Sequence, residues 1–99
     1  MAFKIKLEPK AFEDIQEAIE YYNEQQVGLG KRFHKTIKLA FDTIKNDPFY
    51  QIKYDEVRCF YTKPFPFLIH YIVIEHSKTV LVLAIIHTSR NPNTWPKTN

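Results

Sequence analysis

Residues 57–87 read Val57-Arg58-Cys59-Phe60-Tyr61-Thr62, then Lys63-Pro64-Phe65-Pro66, then Phe67-Leu68-Ile69-His70-Tyr71-Ile72-Val73-Ile74-Glu75, then His76-Ser77-Lys78, then Thr79-Val80-Leu81-Val82-Leu83-Ala84-Ile85-Ile86-His87. Three runs of β-branched, aromatic and aliphatic residues are separated by two short turn sequences, which is the pattern of strands. Turns this short can join only antiparallel neighbours. The stretch therefore predicts a three-stranded antiparallel meander. The middle run is nearly all apolar, which predicts a strand buried on both faces.

Upstream of the meander the period changes. Ala11, Phe12, Ile15, Ala18, Ile19 and Tyr22 form one apolar stripe at helical spacing, with Glu13, Glu17, Glu20 and Glu24 on the other side. Pro9 stands where a helix accepts proline, at its first residue. Gly28-Leu29-Gly30 interrupts the pattern. A second stripe follows at Phe33, Ile37, Ala40, Phe41 and Ile44, with Lys31, Lys35, Lys38 and Lys45 outside it, and Asp47-Pro48 ends the helix. Two helices joined by so short a turn form an antiparallel hairpin. The acidic flank of the first and the basic flank of the second are then expected to face each other. Phe3-Lys4-Ile5-Lys6-Leu7 alternates at period two and reads as a strand whose lysines suit a sheet edge. Residues 49–56 read as a loop. The expected fold is α+β, in the order βααβββ, with the helical hairpin packed on an antiparallel sheet. The place of the first strand in that sheet stays open.

Composition sets the outer bounds. Ninety-nine residues form one domain, here taken as 1–99, and a 44% hydrophobic fraction excludes a disordered chain. The formal charge of +3 fits an acidic protein or a nucleic acid as partner, without a histone-like excess. The single cysteine, Cys59, cannot form an internal disulfide. No apolar run is long enough to span a bilayer, so the expected location is the cytoplasm. Four histidines without metal spacing give no zinc site, and no phosphate-binding glycine loop or nucleophile elbow occurs, so no cofactor or metal is expected.

Tyr21-Tyr22, Gly28-Leu29-Gly30-Lys31-Arg32-Phe33, Phe65-Pro66-Phe67 and His87 followed by Arg90-Asn91-Pro92 and Trp95 occur in one order. In this combination the chain resembles the RelE/ParE toxin superfamily of type II toxin–antitoxin systems, the ParE-like branch more than the RelE-like one, over roughly Phe3 to Trp95. The resemblance implies a growth-inhibiting toxin held inactive by a small, acidic antitoxin encoded adjacently. ParE-like members poison DNA gyrase, whereas RelE-like members cut messenger RNA on the ribosome. A non-toxic binding module derived from the family is a third expectation.

If the chain is a messenger-RNA endoribonuclease, it needs cations for the phosphate and a group that exchanges protons near neutrality. Arg58, His87 and Arg90 are the candidates, on the premise that neighbouring strands bring them to one face. The same three also read as surface arginines and a capping histidine. RelE-like toxins commonly place a tyrosine or another proton-transferring side chain near the C-terminus. Here that region offers Trp95, whose indole donates a hydrogen bond but does no acid–base chemistry. Partner contacts are expected at Tyr21, which lies off the apolar stripe, at Lys31, Arg32 and Lys35 of the second helix, and at Trp95. Lys31 and Lys35 also read as part of a solvated helix face, and Trp95 as a plug at the end of the core. His70 reads as a satisfied core histidine, and His34 and His76 as surface and turn residues.

Overall fold

The computed structural model describes residues 2–97. Its elements are β1 (Lys4–Leu7), α1 (Pro9–Gln25), α2 (Leu29–Asn46), β2 (Ile52–Tyr54), β3 (Val57–Tyr61), β4 (Phe67–Ile74) and β5 (Thr79–His87), with short 3-10 turns at Glu75–Ser77 and Pro92–Thr94. The helices pack as a hairpin on one face of a five-stranded sheet of order β1-β5-β4-β3-β2. The α+β architecture and the antiparallel meander are as expected. Two details differ. β1 lies at the edge beside β5 and runs parallel to it, pairing Lys4 with Thr79 through Leu7 with Val82. The segment read as a loop contains β2, which pairs Ile52 with Arg58 and Tyr54 with Val57 across a bulge. Three residues that stay largely exposed carry too little alternation to announce a strand.

α1 starts at Pro9, whose missing N–H falls among the amides that a first turn leaves free. Gly28 takes a left-handed φ of 87° to begin the turn into α2. Gly30 is where the helices touch: a Cβ there would lie 2.5 Å from the Ile19 carbonyl oxygen, and its amide donates to Asn23 Oδ1 at 2.9 Å. Only the absence of a side chain allows that approach.

The core lies between hairpin and sheet. Ala11, Ile15, Ala18, Phe33, Ile37, Ala40 and Ile44 from the helices meet Ile69, Tyr71, Val80, Val82 and Ile85 from the strands. Each fully buried Val, Ile or Phe contributes about 1.5–3 kcal/mol of transfer free energy. Aromatic edges organise one end, where Phe33 packs against Phe65 at 5.2 Å and Phe67 at 5.3 Å between ring centres. Phe12 departs from the stripe reading and is 56% exposed. It lies to one side of the line of Ala11, Asp14, Ile15 and Ala18 that α1 buries.

β4 is not sealed on both faces. Ile69 and Tyr71 are buried under the helices, while Leu68, Ile72 and Ile74 on the other face are half-buried. The expected pairing of acidic and basic helix flanks is also absent. Among the described residues the one ion pair is Lys10 with Asp14, both on α1. The other helix charges are solvated, as exposed pairs contribute too little to hold long side chains in place.

Candidate functional site

The register decides which candidate residues meet. Arg58 pairs with Tyr71 on β4, whereas His87 pairs with Phe67. Both therefore face the helices, but four β4 residues separate them, roughly 13 Å along the sheet in addition to two strand spacings. The structure does not bring Arg58 to His87 and Arg90. Instead Arg58 Nε donates to the Tyr50 carbonyl at 2.6 Å, and its guanidinium lies 5.3 Å from the centre of the Phe49 ring. These contacts tie the loop after α2 to the sheet.

His87 and Arg90 remain together at the end of β5. The Arg90 amide donates to the His87 carbonyl at 3.0 Å. His87 Nδ1 accepts from the Ser89 amide at 3.0 Å and lies 2.8 Å from Ser89 Oγ. An imidazole nitrogen that accepts from an amide carries no hydrogen, so the ring hydrogen sits on Nε2. His87 thus presents a donor to a ligand and has no free basic nitrogen.

Beside it runs a groove of about 570 Å³. α1 forms one wall with Asp14, Glu17, Ala18, Tyr21 and Tyr22, the end of β5 forms the floor from Ala84 to His87, and Arg90, Thr94 and Pro96 form the far rim. It lies where α1, carrying the small Ala18, passes the open edge of β5. The groove survives because β1 ends at Leu7 and leaves the second half of β5 without a strand beside it. Asp14 reaches over from α1, and its Oδ2 accepts from the Ile85 amide at 3.0 Å. Asp14 and Lys10 were missed as site residues. The signal was a carboxylate on the Ala11–Ile15–Ala18 stripe, since such a position is kept only when the charge has partners.

The expected partner-binding residues fall in different places. Tyr21 is 57% exposed and lines the groove, with its ring edge-on to Tyr22 at 5.3 Å. Lys31, Arg32 and Lys35 are exposed on α2 and do not line it. Trp95 turns the opposite way, onto the outer face of the sheet, 5.2 Å from Tyr54 and 5.0 Å from His70 between ring centres. It covers the end of a buried polar cluster. Tyr54 donates its hydroxyl hydrogen to the Pro96 carbonyl at 2.9 Å, so the Tyr54 oxygen accepts from His70 Nδ1, 3.0 Å away. Burial holds the His70 ring neutral, with its pKa lowered to about 4 against a weak opposing pull from Asp14. Burial likewise pushes the neighbouring Cys59 thiol up to about 11, which leaves it an unreactive, protonated thiol. His34 and His76 are exposed. Among the described residues no group of three metal-binding side chains occurs, and no helix is long and apolar enough to cross a membrane.

The sequence that folds into this hairpin on a sheet matches, over residues 5–92, the family model of the ParE toxin of the type II toxin–antitoxin system parDE. The chain belongs to the ParE toxin family. Among solved structures it is similar to the chromosomal ParDE toxin–antitoxin system of Pseudomonas aeruginosa, with a TM-score of 0.77 at 15% identity, covering 89% of this chain and 98% of that one. It is also similar to the RelBE2 toxin–antitoxin complex of Mycobacterium tuberculosis, with a TM-score of 0.63 at 13% identity, covering 88% of this chain and 99% of that one. The archaeal RelE–RelB complex of Pyrococcus horikoshii gives 0.58 at 13% identity, covering 92% and 100%. No curated protein sequence matches the chain. Identities this low establish the shared fold of this ParE-family chain.

Proposed function

We propose that this ParE-family toxin stops growth by binding its target, with DNA gyrase as that target, and that a small acidic antitoxin encoded beside it holds it inactive. The observation that carries binding over catalysis is the state of His87. Its Nδ1 is occupied by the Ser89 amide, and the hydrogen on Nε2 makes the ring a donor. General-base activation of a ribose hydroxyl needs an unprotonated nitrogen free to take the proton, and the unprotonated Nδ1 here is held by the Ser89 amide. Arg58, the second cation of an endonuclease centre, is engaged with Tyr50 and Phe49 elsewhere on the sheet. Trp95 is packed against His70 and supplies no proton-transferring group. Gyrase as the target rests on family membership.

A ribosome-dependent messenger-RNA endonuclease is the second reading. What favours it is the grouping of Lys10, His87 and Arg90 around one groove, a set of hydrogen-bond donors suited to phosphate oxygens.

Pulse labelling after tightly controlled induction separates the two. Thymidine incorporation falling before amino-acid incorporation, with filamentation, is the expected result. Amino-acid incorporation falling first would replace gyrase with the ribosome as the target, and Lys10, His87 and Arg90 would become the residues to mutate.

A further inference from the structure

Two helices cannot roof five strands. Strands lie about 4.8 Å apart, so five of them span roughly 19 Å, whereas two packed helix axes stand only about 8–10 Å apart. One uncovered margin holds the groove beside α1. The other lies beyond α2, where Arg58 and Phe60 of β3 and Ile52 of β2 face the helix side without a helix over them.

Large apolar side chains collect along this second margin. Among the described residues eight stand exposed. Leu39 on α2, Phe49 and Tyr50 in the loop after it, and Ile52 on β2 border the margin, with Tyr61 at its end. Their exposure runs from 40% at Tyr50 to 59% at Leu39. They also join. Leu39 and Phe60 line one open hollow of about 470 Å³ between α2 and β3, and the Tyr50 ring stands edge-on to Phe60, 5.3 Å between centres. Single exposed apolar residues need no explanation, but a contiguous group marks an interaction surface.

The surroundings specify the occupant. Thr36 and Thr43 stand in the α2 wall, but their hydroxyls donate back to the Arg32 and Leu39 carbonyls at 3.0 and 3.1 Å. Neither offers its hydrogen to a ligand. No carboxylate lines the hollow, and Lys63 closes one end, its Nζ 5.8 Å from the centre of the Tyr61 ring. Lys35 stands one turn before Leu39 on α2, and Asp42, three residues after Leu39, is the carboxylate on that side of the helix. A second copy would set two such basic borders against each other. A single nucleic-acid strand needs open ring faces and free cations in a row. Here Tyr50 takes the Phe60 ring, and Arg58 is already engaged with the Tyr50 carbonyl and the Phe49 ring. An acidic protein surface with one projecting apolar side chain matches both the hollow and its border, and exposed tyrosines are common anchors in such contacts.

We infer that this margin, from Leu39 across Phe60 to Tyr50, is where the toxin grips its target protein. An acidic stretch of the target lies along Lys35 and Lys63, and its apolar side chain enters the hollow beside Leu39 and Phe60. The inference rests on the reading of the chain as a toxin that acts by binding DNA gyrase, and names the surface that does so.

The test uses the full chain and purified DNA gyrase, with growth arrest after induction followed in parallel. Leu39→Glu changes an exposed helix position and should weaken gyrase binding at least tenfold and relieve the arrest. Lys63→Glu should weaken binding at least fivefold. Phe12→Glu, an equal change at an exposed position of α1, should stay within twofold. Circular dichroism establishes that each variant is folded. Hydroxyl-radical footprinting of the wild-type pair depends on no variant and should protect Tyr50 and Tyr61 at least threefold. Undiminished binding by Leu39→Glu, or a complex in which both tyrosines stay open to radicals, overturns the inference and leaves the gyrase reading standing. A wild-type chain that binds no gyrase overturns that reading and the inference together. If Leu39→Glu instead abolishes binding of the adjacently encoded acidic protein, of a single-stranded oligonucleotide or of a second copy, with gyrase binding intact, the occupant is that molecule and the inference is overturned.

Discussion

The carboxylate of Asp14 on α1 accepts a hydrogen bond from the main-chain amide of Ile85 on β5, 3.0 Å away and 71 residues later in the chain. A side chain here does what a neighbouring strand would do. β1 is too short to pair with all of β5, and the edge it leaves bare is closed at one point by a helix-borne carboxylate, itself matched by Lys10. An inward-pointing charge on an open edge is a known way of limiting unwanted strand pairing.

Asp14→Ala should therefore destabilise the fold by about 1–3 kcal/mol, because it leaves the Ile85 amide without its acceptor. Asp14→Asn keeps an acceptor oxygen and loses only the charge, so its cost should stay below about 1 kcal/mol. Urea denaturation of the two variants measures the difference. Equal losses would mean that the Lys10 pair, and not the Ile85 bond, is what matters.

Gly30→Ala tests the helix crossing. The added Cβ would lie 2.5 Å from the Ile19 carbonyl and 2.6 Å from Asn23 Oδ1, closer than atoms can approach. The hairpin must open to admit it, and overpacking of this kind costs about 1–3 kcal/mol. Gly28→Ala meets no neighbour but holds a φ of 87°, so its cost, about 1 kcal/mol, is conformational. A thermal melt that ranks Gly28→Ala as the worse variant would contradict the contact geometry.

Much of the fold was legible because local pattern and global packing agree. The stripes from Ala11 to Tyr22 and from Phe33 to Ile44, and the three meander strands, each announce themselves by period. β2 did not, since two exposed residues and a half-buried one carry no period. The parallel partner of β1 did not either, because pairing Lys4–Leu7 with Thr79–Val82 spans most of the chain. The proposed meeting of Arg58 with His87 failed on register. With the turn at Lys63–Pro66, Phe67 aligns with His87 and Arg58 lies at the far end of its strand. That count was available in the sequence. The groove was not, because it depends on α1 passing an edge of β5 that β1 leaves open, a tertiary relation with no local pattern.

His70 makes stability depend on pH. Its folded pKa is lowered to about 4, below the ordinary 6.5, because the charged ring would be buried. Between about pH 6.5 and 4 the unfolded chain binds a proton that the folded chain refuses. Stability is therefore full above pH 6.5 and falls as the pH is lowered toward 4, by up to about 3 kcal/mol. In His70→Gln the difference between pH 7 and pH 5 should shrink by at least half. An unchanged pH profile in that variant would assign the acid sensitivity to other groups.

Tyr54 links three parts of the chain, and its removal should be read out at Trp95, the chain's one tryptophan. The Tyr54 oxygen accepts from His70 Nδ1, its hydrogen goes to the Pro96 carbonyl, and its ring lies 5.2 Å from that of Trp95. Tyr54→Phe keeps the ring and deletes the oxygen. His70 then holds an unpartnered N–H in a fully buried position, a loss of about 1–3 kcal/mol. The tail also loses its hydrogen-bonded anchor at Pro96, so the indole should become more exposed and its emission should move to longer wavelength. If stability falls with no change in Trp95 emission, the tail is held by ring packing alone and the hydroxyl serves only His70. If emission shifts while stability holds, the hydroxyl anchors the tail and His70 finds another acceptor, for which the Cys59 sulfur, 3.5 Å from Nδ1, is the nearest atom.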